Sequence, residues 1–157
     1  MGNLLEISIQ PIHPKEIKCL YGNEIVKTTK DVSITIGILK VSGEYKSGSK
    51  GAYIGEYLRG ISTFVREYGN LDGMIIDMSE LNYEWGNNLK GIVYPNVFKT
   101  SDMFKESWLG YKIIGSQKNK KSLESLFETF GHQNRIYISK EEALEDLKNE
   151  AKKVYAK

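Results

Sequence analysis

Cysteine is almost absent from this chain. Cys19 stands alone, so no disulfide can close within the molecule and no multi-cysteine metal site is available. Such a residue is expected to pack in a strand as a small hydrophobe. Histidine is nearly as scarce. His13 lies between Pro11 and Pro14, and His132 follows Gly131, with no acid near either at metal-site spacing and no signature of a Cys19–His catalytic pair. No apolar run reaches membrane-spanning length. The first fifteen residues carry Glu6, Gln10 and two prolines in place of a basic start and an apolar block, so a cytoplasmic location is expected. Charge of one sign is lacking too: 22 Lys and Arg against 20 Asp and Glu leave a formal +2, too little to imply a nucleic-acid partner. Lys118, Lys120 and Lys121, with Lys112 upstream, make one basic cluster, but aromatic residues for base stacking are not interleaved with it. The expectation is no metal, no cofactor, no nucleic acid and no membrane.

What is present is an ordinary globular composition, 40% hydrophobic and 27% charged, on 157 residues, enough for one well-buried core and short for two. The chain is therefore taken as one α/β domain over 1–157, with an N-terminal β extension over 1–31 and a core over 32–157. The stretch Leu71–Leu89 organises it. Met74-Ile75-Ile76, opened by Asp72-Gly73 and closed by Asp77, has the pattern of a strand buried on both faces, which needs a covering layer on each side. After Leu81 and Tyr83 come Glu84-Trp85-Gly86-Asn87-Asn88, then Leu89, Ile92 and Val93 at helical spacing. Strand, exposed loop and helix start follow in that order, and open α/β sheets place binding surfaces at such carboxyl ends of strands.

The remaining elements follow from period and punctuation. Residues 4–9 can form a strand. Glu16–Leu20 and Glu24–Thr28 flank Tyr21-Gly22-Asn23, a turn signal suited to a hairpin. From Val32 to Val41, Ile34, Ile36 and Ile38 on one face give way to Leu39 and Val41 on the other around Gly37, which suggests a bulge or a close backbone contact. Ile54, Tyr57, Leu58, Ile61, Phe64, Val65 and Tyr68 put an apolar stripe on a helix over Ala52–Tyr68, with Gly69 as its left-handed cap and Arg66 off the stripe. Pro95 should end the helix beginning near Asn87, and Asn96–Trp108 is left as loop with helical turns. A strand over Tyr111–Ser116, a helix over Asn119–Phe130 closed by Gly131, and a strand over Arg135–Ile138 come next. Ser139 and Glu142 stand at the positions of a capping box, and a final helix carries Ala143, Leu144, Leu147, Ala151, Val154 and Tyr155.

In order, ILKVSGEY, GMIIDMSELNY, YKIIGS and IYISKEEALEDLK, each followed by or containing a helix, resemble the STAS domain, the module of sulphate transporters and anti-sigma-factor antagonists. Ser42-Gly43-Glu44 and Asp77-Met78-Ser79 stand where that family ends two of its strands. The resemblance runs over roughly 32–153. It implies a mostly parallel mixed sheet with helices packed on it, acting as a protein-interaction module and not as an enzyme. In the family, an Asp-Ser-Ser-Gly loop carries a serine that a partner kinase phosphorylates to break a complex. Laid onto this chain, the aspartate falls near Trp85 and the serine near Gly86, so neither the carboxylate nor the hydroxyl is there and the phospho-switch does not carry over.

The candidate partner-binding residues are Tyr83, Glu84, Trp85, Asn87 and Asn88. Tyr83 and Trp85 would be anchors and Glu84 an orienting charge, while Asn87 and Asn88 would offer hydrogen bonds or cap the following helix. Trp85 has a competing reading, in which its ring folds back over Tyr83 and Leu89. Asp77, Glu80 and Glu84 are also spaced for paired-carboxylate chemistry, though exposed acids at a strand end are commonplace. Ser47-Gly48-Ser49-Lys50-Gly51 precedes a helix but lacks P-loop spacing, so a connector is favoured over a phosphate site. The partner is expected to be another protein: a regulator, a kinase-like protein, or a toxin that this chain neutralises as an immunity protein or antitoxin. A weaker alternative is a small-ligand or enzymatic role using Ser47–Gly51 and Asp77.

Overall fold

In the computed structural model, which describes residues 4–29, 31–97, 108–128 and 136–155, the apolar run becomes strand β4 (Gly73–Asp77), with Met74, Ile75 and Ile76 wholly buried. It lies between β3 (Ser33–Glu44) and β6 (Tyr111–Ile114), parallel to both. β7 (Ile136–Tyr137) extends the parallel side. β2 (Ile17–Lys27) and β1 (Leu5–Glu6) add antiparallel strands beyond β3, giving the order β1-β2-β3-β4-β6-β7. β5 (Leu81–Asn82) pairs with Gly43 and Glu44 of β3, beyond the register that β4 occupies. The result is the mostly parallel mixed α/β sheet that the sequence predicts.

Alternation along β3 and β4 sorts the core into two layers. Leu39, Val41, Met74 and Ile76 face helix α1 (Ser49–Gly69) and helix α3 (Lys120–Phe127), together with Leu58, Ile61, Leu123 and Phe127. Ile34, Ile36, Ile38 and Ile75 face helix α4 (Lys140–Tyr155), together with Ala143, Leu147 and Ala151. The change of face around Gly37 is therefore a strand covered on both sides. Its register against β2 and β4 runs without a bulge. The glycine serves a close approach instead, since a Cβ there would sit 2.3 Å from Leu71 Cδ1.

Several local expectations give way to tertiary context. No hairpin turns at Gly22-Asn23: β2 passes through them, pairing Gly22 with Ile38 and Asn23 with Gly37. The chain reverses later, where the Thr28 amide and hydroxyl both donate to the Val32 carbonyl. A long partner strand outweighs a two-residue turn signal. Asn70, at φ 49°, is the left-handed residue that ends α1, one position after the expected Gly69. On α1, Phe64 and Tyr68 stack on each other at the surface, 52% and 81% exposed. Arg66 is buried instead: its Nη1 donates to the Pro95 carbonyl and its guanidinium lies 4.0 Å from the Trp108 ring centre. The stripe turns because helix α2 (Tyr94–Val97) and Trp108 cover that flank. Pro95 is the second residue of this new turn and does not close the previous one; in a helix's first turn a missing amide costs little. Phe130, Gly131, His132 and Arg135 lie outside the described residues, as do residues 98–107.

Two side chains tie the layers together. Asn119, buried just before α3, accepts the Ser116 amide and donates to the Met78 and Leu81 carbonyls at 2.9 Å, holding α3 against the turn between β4 and β5. His13 fixes the N-terminal segment to α1. Its Nε2 lies 2.9 Å from the Ile17 carbonyl, which can only accept, so Nδ1 takes the Tyr57 hydroxyl at 2.6 Å. At the start of α4, the Glu142 amide donates to Ser139 Oγ, as a capping box requires. Cys19 is buried as expected, and burial pushes its thiol up to about 12.

Helix α1 meets the 3-10 turn Asn87–Ile92 through glycine. A Cβ on Gly55 would lie 2.2 Å from the Asn88 carbonyl oxygen, and one on Gly91 would lie 2.5 Å from the Gly55 carbonyl oxygen. Alanine in place of Gly55 gains about 1 kcal/mol of helix propensity. Overpacking against backbone costs about 1–3 kcal/mol. Gly55→Ala should therefore lower stability by up to about 2 kcal/mol in chemical denaturation, whereas Gly60→Ala, where a Cβ meets nothing within 4 Å, should raise it.

Candidate functional site

β5 ends at Asn82, and the chain from there to the 3-10 turn crosses the carboxyl end of the sheet beside the segment linking β3 to α1. The two segments hold each other. Both Glu44 carboxylate oxygens accept from Asn82 Nδ2, at 3.0 and 2.8 Å, and the Tyr45 amide donates to the Asn82 carbonyl. Beneath the loop, the Tyr45 and Tyr83 rings meet edge to face, their centres 5.4 Å apart. The Tyr83 hydroxyl reaches round to donate to the Gly86 carbonyl at 2.9 Å.

Gly86 is a site only glycine fits. Its φ of 127° is one that side chains avoid, and a Cβ would lie 2.8 Å from Tyr45 Cε1. This is where the family resemblance would place a phosphorylatable serine. The departure is thus built into the packing of the loop as well as into its sequence.

The five candidate residues divide. Trp85 is 67% exposed and does not fold back into the core. Glu84, Asn87 and Asn88 are exposed beside it. Tyr83 is 4% exposed, so it is not an anchor offered to a partner. It holds the loop from below, because the odd-numbered positions Leu81 and Tyr83 both turn into the core. Nor do the Asn87 and Asn88 side chains cap the turn. Gly86 occupies the cap position with no side-chain hydrogen bond there. Tyr45 comes in from the neighbouring strand instead. Burial raises its phenol, while the Leu89 and Asn88 amides that face its oxygen lower it. Sequence reasoning missed Tyr45, since nothing local links it to a loop some forty residues later; the signal was its place directly after Ser42-Gly43-Glu44.

A recess of about 240 Å³ opens between the two segments, lined by Glu44, Tyr45, Lys46, Ser47, Asn82, Glu84 and Trp85. Asp77 is not part of it. Its Oδ1 caps the strand end by accepting the Ser79 amide at 2.9 Å, and Glu80 pairs with Lys40. The three acids spaced for paired-carboxylate chemistry are therefore not brought together, and of them only Glu84 faces the recess. Among the described residues, no three His, Cys, Asp or Glu side chains group around a point fit for a metal ion, and no helix is long and apolar enough to cross a membrane.

Two measurements check this account. Gly86→Ser combines backbone strain with a clash against Tyr45 and should cost about 1–3 kcal/mol of unfolding free energy. Burial pushes the Tyr83 phenol from 10.0 to about 12, so the folded chain holds that proton more tightly than the unfolded chain does. Its contribution to stability is complete below pH 10 and is lost as pH rises towards 12. Denaturation between pH 9 and 11.5 should show this fall in the native chain and a shallower one in Tyr83→Phe.

No family model matches the sequence, and no curated protein matches it. Among solved structures, a crystal structure of an anti-sigma factor antagonist from Mycobacterium paratuberculosis is similar at 15% identity and a TM-score of 0.44, over 81% of this chain and 93% of that one. A likeness of that degree carries no argument about what this chain binds.

Proposed function

We propose that this chain is a non-catalytic regulatory module that binds another protein through residues 82–88 and the 3-10 turn that follows. The observation that carries it is Trp85, a large apolar side chain left 67% exposed on a loop whose backbone is fixed from below. Exposed tryptophan on a rigid frame contributes much contact area at small entropic cost, which is why it recurs as an interface anchor. The strand-end motifs Ser42-Gly43-Glu44 and Asp77-Met78-Ser79 support a STAS-like interaction role. Gly86 removes the phosphorylation step from it, so complex formation here does not depend on a modified serine in this loop.

The test compares capture of binding proteins from native extract by the full chain and by Trp85→Ala. Loss of a captured protein by at least tenfold, with unfolding free energy changed by less than about 0.5 kcal/mol, supports the reading; truncation of an interface tryptophan commonly costs 2 kcal/mol or more, which is about thirtyfold in affinity. Unchanged capture, or loss matched by lost stability, overturns it.

A further inference from the structure

We propose that the recess beside Trp85 receives an arginine side chain of the partner protein, an inference that rests on the interaction role proposed above. The recess, at about 240 Å³, falls below the roughly 300–1,000 Å³ of small-molecule sites and suits one long side chain. Its charge selects the kind. Glu44 and Glu84 contribute two carboxylates against the single ammonium of Lys46. Lys46 is exposed on a flexible stem that can swing its charge into water.

Glu44 is already positioned. Asn82 Nδ2 holds both its oxygens from one side, and each carboxylate oxygen keeps a second lone pair for another donor. A guanidinium supplies donors in a planar fork and also stacks on an indole face, so a group reaching the two glutamates past Trp85 satisfies both kinds of contact. An ammonium lacks the fork and the plane. An anion is the competing occupant, because α1 begins nearby at Ser49 and a helix start attracts negative charge. The two carboxylates in the lining oppose it.

The probe is N-acetyl-arginine methylamide, titrated into the full chain and followed by the Trp85 indole and Tyr45 amide signals in two-dimensional NMR. Saturable shifts are expected with the arginine compound and not with its norleucine or glutamate counterparts, nor with inorganic phosphate. Glu84→Gln and Glu44→Gln should each weaken binding about two- to fivefold, the range for partly exposed charge pairs. Lys46→Ala should tighten it, a direction that general damage to the loop would not produce. Absent shifts with the arginine compound, equal shifts with norleucine, or stronger shifts with phosphate overturn the inference.

Failure here is separable from failure of the interaction role. If Trp85→Ala abolishes partner capture while Glu84→Gln and Glu44→Gln leave it unchanged, the module stands and the arginine does not. If the arginine compound titrates but Trp85→Ala leaves capture intact, the recess has the proposed preference and the interaction role falls.

Discussion

Met74, Ile75 and Ile76 present no surface to water, and a strand sealed in this way obliges the chain to supply a layer on each side. α1 and α3 cover the face that carries Met74 and Ile76, and α4 covers the face that carries Ile75. Neighbouring strands must then match in kind, and β3 buries Ile34, Ile36 and Ile38 on one face and Leu39 and Val41 on the other. Because β3, β4 and β6 run parallel, their carboxyl ends gather on one edge of the sheet. Loops that leave this edge have a packed floor and an open roof. The position of Trp85 is a consequence of the burial of Ile76 nine residues earlier.

The site adds a second constraint, close approach. Gly55, Gly86 and Gly91 each stand where a Cβ would meet backbone or ring at under 3 Å. The first and third let α1 and the 3-10 turn touch, and the second lets the loop fold over Tyr45. Rigidity on this surface thus comes from glycine used for contact and not for freedom. A tryptophan on such a support would lose little entropy in the contact proposed for it.

Period carried much of the fold. The alternation in β3, the unbroken apolar run of β4 and the three-four spacing of α1 and α4 each depend on burial, the strongest term, and each appears in the structure, except that Phe64 and Tyr68 of α1 and Val154 of α4 are exposed. Signals that rested on one or two residues did less well. Gly22-Asn23 reads as a turn when taken alone, but the eleven-residue ladder with β3 overrides it. Arg66 reads as solvent-facing until Pro95 and Trp108, far along the chain, close over it. For the site, Trp85 was legible as an apolar residue among polar ones. The burial of Tyr83 and the role of Tyr45 were not, because both follow from strands meeting across the sheet edge, which no local window contains.

Control of such a surface follows from its hydroxyls. Within residues 82–88 the only one is the phenol of Tyr83, which is buried and donates to the Gly86 carbonyl. A kinase would have to open the loop to reach it, and opening the loop gives up the Tyr45–Tyr83 contact as well. Serine could not stand at position 86 without straining the backbone and pressing on Tyr45. Were residues 82–88 to bind a partner as proposed, that loop would carry no accessible hydroxyl for a charge switch, and mass action would set how much of it is occupied.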